Sequence, residues 1–221
     1  MGEPLIIQHR VNAIDALRET SPEYGVEIDI RHDNRNGSLY LNHDPGTGDD
    51  FFEYMDVLAE QRNRFVIFNP KEMGIEQRII DAASERGIED YFLLDLEFPF
   101  IYRASQGGVP GVGKRIAIRY SEAEPLEQAL LMKGKFDWLF IDVNTRLPLD
   151  RDICRKIEDA GFRTCIVCPS RWKRPEDIPT FIQQMKSEGI KIDAVMTKDP
   201  YAEQWENSGV IRPFHPAKRR S

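Results

Sequence analysis

Residues 65–94 read FVIFNPKEMGIEQRIIDAASERGIEDYFLL, and this stretch decides the fold. An apolar run, Phe65–Phe68, gives way to a pattern in which Ile75, Ile79, Ile80 and Ala83 recur at helical spacing. Gly87 follows, where helices commonly stop, and a second apolar run, Tyr91–Leu94, begins almost at once. Strand, helix and strand in so short a span predict a parallel βαβ unit.

Outward from it, six more runs repeat the theme: Pro4–Gln8, Val26–Ile30, Ile116–Ile118, Trp138–Ile141, Thr164–Val167 and Ala194–Met196. Their Val, Ile, Leu and Phe content suits strands buried on both faces. Gly161 and Gly189 close the intervening helical stretches as Gly87 does. Eight such units in 221 residues predict a compact, single-domain (β/α)8 barrel over residues 1–221, against the roughly 250 residues typical of the fold. A doubly wound open sheet uses the same alternation with fewer strands, and stands as the alternative. Residues 31–42 read as a hairpin-like extension turning at Asn36–Gly37.

Composition bounds the function. With 30 basic and 37 acidic residues the net charge is −7, which argues against a general nucleic-acid binder. The basic AKRRS ending at 217–221 reads as solvated. No stretch approaches the roughly 18 to 20 apolar residues of a membrane span, and MGEPLIIQHR lacks the pattern of a signal peptide. Three cysteines cannot all pair with one another, so the expectation is a reduced, cytoplasmic, soluble protein.

The carboxyl ends of barrel strands build active sites. Those positions hold His9 and Arg10; Glu27, Asp29 and Arg31; Asn69 and Lys71; then Asp95, Arg119, Asp142 and Lys198. Glu27 and Asp29 are two apart on one strand, so both point to the same face at most roughly 7 Å apart. Paired oxygen donors of this kind suit Mg²⁺ or Ca²⁺ rather than zinc, unless a salt-bridge network with Arg31 and Lys71 absorbs them.

The order His9-Arg10, Glu27-x-Asp29, His43-Asp44, with Lys71 ending the third strand, resembles the glycerophosphodiester phosphodiesterase family. The closing IDAVMTKDP is loosely similar to that family's last strand. The resemblance implies a metal-dependent phosphodiester hydrolase whose Mg²⁺ or Ca²⁺ is held by Glu27, Asp29 and Asn69, with Arg10 and Lys71 on the substrate phosphate. The family's third metal-binding acid is Asn69 here, which lowers the ligand charge and predicts weak binding. Glu72 would replace it only if the strand end bends. His9 and His43 suit general base and acid, since imidazole titrates near working pH. The expected polarity puts His9 at the attacking side and His43 at the leaving side, with Asp44 in support.

The expected partner is a small or polyol-linked phosphodiester, because only PGTGDD follows the His-Asp pair and no exposed apolar helix is evident to dock a bilayer. Two other readings remain. One is a barrel of the same descent that binds a phosphorylated ligand without turnover; the other is a metal-dependent lyase-type barrel using Glu27 and Asp29. Gly108–Arg115 resembles a phosphate loop but lies between helix and strand in the wrong order. Cys165 and Cys168 fall on opposite faces of a strand, and His32 and His215 read as surface residues.

Overall fold

A computed structural model describes residues 2–61 and 64–215; the basic ending at 217–221 lies outside them. Strands and helices alternate along the chain: β1 (Leu5–Gln8), α1 (Ile14–Glu19), β2 (Gly25–His32), β3 (Leu39–Leu41), α2 (Phe51–Glu60), β4 (Val66–Pro70), α3 (Glu76–Glu85), β5 (Tyr91–Leu93), α4 (Phe98–Ser105), β6 (Ala117–Tyr120), α5 (Leu126–Leu130), β7 (Trp138–Ile141), α6 (Arg151–Asp159), β8 (Arg163–Val167), α7 (Ile178–Glu188), β9 (Ala194–Thr197) and α8 (Ala202–Glu206). The fold is a (β/α)8 barrel, with β3 as an addition to the eight parallel strands. The open-sheet alternative is set aside.

The chain falls into two compact units. Within Gln8–Ile116 the strand order is β5-β4-β2, all parallel. β2 is buried over its first six residues, as a strand covered on both faces must be. Helix α3 buries Ile79, Ile80 and Ala83, the same residues whose spacing predicts it. Phe65 meets Phe92, and Phe68 meets Tyr91, edge to face at 5.6 and 5.1 Å. The predicted hairpin is present: β3 runs antiparallel to β2, pairing Ile30 with Leu41 and His32 with Leu39. Its turn is closed by Gly37, whose φ of 77° favours a residue without a Cβ.

The PGTGDD loop then folds back onto β3. Gly48 makes this possible, since a Cβ there would lie 1.9 Å from the Leu41 carbonyl oxygen. Asp49 accepts a hydrogen bond from Ile14 N (2.6 Å), tying the loop to the start of α1, and Asp50 caps α2 through Phe52 N and Glu53 N.

The other unit, Ala117–His215 with the chain through Ile7, has the strand order β1-β9-β8-β7-β6. Its largest fully buried side chain is Trp205, whose indole N–H faces Cys168 Sγ at 3.4 Å. Cys154, Cys165 and Cys168 are free thiols. Among the described residues no helix is long and apolar enough to cross a membrane.

Candidate active site

The residues expected to act on substrate or metal lie in the Gln8–Ile116 unit: His9, Arg10, Glu27, Asp29, Asn69 and Lys71 at or near the carboxyl ends of β1, β2 and β4, and His43 and Asp44 in the loop after β3. The period of two along β2 puts Glu27 and Asp29 on one face, and the parallel register sets Asp29 opposite Asn69. Both carboxylates are almost fully buried, at 1% exposure each.

Buried carboxylates need donors, and each has its own set. Glu27 accepts from Arg10 N (2.8 Å) and Asn69 Nδ2 (3.0 Å), with His9 Nε2 at 3.9 Å. Asp29 lies 2.7 Å from Lys71 Nζ and 3.8 Å from Arg10 Nε, and accepts from Asn12 Nδ2 at 2.8 Å. Asn12 returns the contact by accepting from Asp29 N (2.8 Å). Asn12 was not foreseen from the sequence; nothing in HRVN distinguishes it from a loop asparagine.

These surroundings split the two acids. Burial, reinforced by the charge of Asp29, pushes Glu27 up to about 7. Burial also acts to raise Asp29, but hydrogen bonds from Lys71 and Asn12 and the charges of Lys71 and His43 outweigh it and hold Asp29 below the usual carboxylate range. The His43 ring thus acts on Asp29 electrostatically. Its Nδ1 stands 2.9 Å from Asp44 Oδ1, and Asp44 is otherwise exposed to solvent.

Arg10 carries backbone strain. Its φ of 62° is left-handed, a region costing a non-glycine residue roughly 1–2 kcal/mol. The turn aims Arg10 N at Glu27, while Val11 N bonds the Glu27 carbonyl at 2.9 Å. From α2, the buried Tyr54 hydroxyl donates to the Val11 carbonyl at 2.8 Å and fixes the turn from behind. Burial raises the Tyr54 hydroxyl far above its ordinary value, so it stays a neutral donor.

Of the salt-bridge network considered for the two acids, Lys71 joins Asp29, but Arg31 pairs with Glu72 instead. The second Glu72 oxygen accepts from His32 N at 3.1 Å, so both oxygens are engaged away from Glu27 and Asp29. Among the described residues no three His, Cys, Asp or Glu side chains converge to hold a metal; the residue opposite Asp29 is an amide, Asn69. Of the other strand-end residues, Arg119, Asp142 and Lys198 belong to the other unit, where Lys198 is exposed. One expectation is corrected. Helix α4 does present an apolar face, with Phe98 and Tyr102 more than half exposed and their rings 6.4 Å apart.

No protein-family model and no curated protein matches this chain. Solved structures do. A glycerophosphodiester phosphodiesterase from Agrobacterium tumefaciens is similar at 15% identity and TM-score 0.59, over 87% of this chain and 96% of its own. Another, from Parabacteroides distasonis, gives 14% and 0.54 over 92% and 96%. A mutant tryptophan synthase alpha-subunit from Pyrococcus furiosus gives 12% and 0.56 over 94% of both chains. The class these likenesses define is the (β/α)8 barrel, a fold shared by proteins of differing names.

Proposed function

We propose that this barrel is a phosphodiester hydrolase working through two histidines on a small or polyol-linked phosphodiester. One observation carries the reading: His9, Arg10 and Lys71 surround a buried carboxylate pair at the carboxyl ends of adjacent strands, with His43 in electrostatic reach. The fold held in common with two glycerophosphodiester phosphodiesterases supports it as an analogy.

The residues fit a hard divalent cation, Mg²⁺ or Ca²⁺. Glu27, Asp29 and Asn69 offer only oxygens, and Asn69 Oδ1 is buried without a hydrogen-bond partner. Such an orphan costs about 1–3 kcal/mol, which a ligated cation would offset. When bound, the cation would neutralise charge on the phosphodiester.

The rest is the work of the side chains. His9, with only 9% of its side chain exposed, takes the proton of the attacking hydroxyl. Arg10 and Lys71 offset the phosphate charge as it builds. His43 gives a proton to the departing oxygen, its ring oriented by Asp44 at Nδ1. The short PGTGDD loop leaves little to cap a large head group, which favours a soluble diester.

A second reading has its own support. Lys71 already sits on Asp29 and the Asn69 amide on Glu27, so both acids hold protein donors, as in a barrel that binds a phosphorylated ligand without turning it over. Alcohol release from a panel of soluble phosphodiesters, with Mg²⁺, Ca²⁺ or chelator, separates the two. Metal-stimulated release supports the hydrolase; binding without release under every condition overturns it.

A further inference from the structure

We infer that Arg31 is a positioning residue for His43, acting through the main chain of the loop that carries it. The inference rests on the hydrolase reading for its kinetic consequence but on geometry alone for the positioning. Arg31 is two residues beyond Asp29, so it shares a face of β2 with both acids. Its guanidinium donates twice to one acceptor, the His43 carbonyl, from Nε at 3.0 Å and Nη2 at 2.6 Å. Its third nitrogen, Nη1, pairs with Glu72 Oε1, and Glu72 is itself fixed by His32 N. The side chain is only 14% exposed.

The residue before is held by the same strand. Asn42 N donates to the Asp29 carbonyl at 3.1 Å, and the Asn42 side chain donates to the Thr47 carbonyl at 2.8 Å. So β2 does two things at once. Its side chains at 27 and 29 make the acid pair, while its carbonyl at 29 and its side chain at 31 fix the backbone bearing His43. The ring of His43 has 38% exposure and touches Asp44, so packing alone does little to place it. A charge-assisted fork onto the carbonyl supplies what packing lacks. Lysine, a point charge without the fork, reproduces this only in part.

The test uses the full chain with Arg31→Ala, Arg31→Lys and Glu72→Gln, and Arg35→Ala as a control on the same hairpin, where the exposed Arg35 pairs with Asp33. Two readouts need no turnover: the imidazole carbon resonances of His43, and hydrogen exchange of the amides at 42–44. Kinetics on glycerophosphocholine and on bis(p-nitrophenyl) phosphate complete it. Arg31→Ala is expected to shift the His43 resonances, speed exchange at 43 and 44 at least tenfold, and lower kcat about 10- to 100-fold with KM little changed. The loss should be larger on glycerophosphocholine, whose leaving group depends on protonation. Arg31→Lys should recover part of it, Glu72→Gln should show a smaller change in the same direction, and Arg35→Ala none.

Unchanged resonances and exchange in a folded Arg31→Ala protein overturn the inference. If that variant fails to fold, unchanged resonances in both Arg31→Lys and Glu72→Gln overturn it equally. Should the resonances move while the parent hydrolyses neither diester, the positioning stands and the hydrolase reading falls.

Discussion

Each compact unit buries acid beside an arginine at the carboxyl end of a strand, one carboxylate in one unit and a pair in the other, and their surroundings differ. At the end of β7, Asp142 is closed off: it accepts from Arg119 Nη2 (3.1 Å), Trp172 Nε1 (2.7 Å) and Val143 N (2.9 Å). Arg119 in turn pairs with Glu124 at 2.7 Å. At the end of β2, the Glu27–Asp29 pair keeps loose ends: an unpartnered amide oxygen on Asn69, a strained Arg10, and a glutamate pushed up to about 7. A network that satisfies every member rigidifies a fold; unpartnered buried oxygens and backbone strain cluster instead at functional sites, which is why the proposed function is placed at β2.

The contrast breaks most visibly at the histidines. General acid–base catalysis contributes about 10²–10⁴-fold, so His9→Ala and His43→Ala should each lose at least the lower figure, and the double variant little more than either. A better leaving group should partly rescue the variant lacking the acid, expected to be His43→Ala, and not the other. Equal rescue of both would show that the roles are assigned wrongly. Undiminished hydrolysis in both would remove the site altogether.

Next in size is the pH dependence of stability, measured in chelator by denaturant unfolding. The Glu27 proton is held more tightly folded than unfolded, so its contribution is present below about 4.5 and is lost as pH rises to about 7. The loss should approach about 3 kcal/mol, at 1.36 kcal/mol per unit, and Glu27→Gln should abolish that slope. Asp29 works in the opposite sense: its lowered value adds stability above the ordinary carboxylate range that disappears in acid. A parent protein whose stability is flat between pH 5 and 7 would mean Glu27 is not desolvated as described.

Asp142→Ala sharpens the same comparison from the other side. It strips acceptors from Arg119 and Trp172, both partly exposed, and should cost about 2 kcal/mol in unfolding free energy. Hydrolysis by the protein that remains folded should stay within a few-fold of the parent. A loss of activity out of proportion to the loss of stability would put Asp142 among the functional groups.

How much of this was legible in the sequence follows from the range of each interaction. The strands, the α3 face, the hairpin at Asn36–Gly37 and the shared face of Glu27 and Asp29 all arise from local periodicity and turn chemistry, which a sequence displays. Asn12 to Asp29, Arg31 to His43 and Arg31 to Glu72 join residues 17, 12 and 41 apart. Such pairs depend on strand register and loop course, and neither has a period to read. The left-handed turn at Arg10 is hidden for a related reason: it is imposed by Glu27 and Tyr54, not by a glycine in the chain. Glu72 lies one residue from Lys71 yet turns to Arg31, a choice no spacing rule foretells.

The smallest expected effect is the one that decides whether the loose ends are a cation site. Asn69→Asp replaces the orphaned amide with an anion opposite Asp29, and removes the amide donor from Glu27. In chelator three clustered carboxylates repel, so this variant should be less stable than the parent and more dependent on the proton of Glu27. Mg²⁺ or Ca²⁺ should reverse that, binding about tenfold tighter than in the parent, on the order of 1.4 kcal/mol, because added ligand charge raises affinity in oxygen sites. Titration calorimetry gives the affinity, and melting with and without cation gives the rescue. Weak binding in the parent with tight binding in the variant leaves Asn69 as a tuned ligand. Heat in neither protein, with no rescue on melting, means that Lys71 is the cation this carboxylate pair was built around.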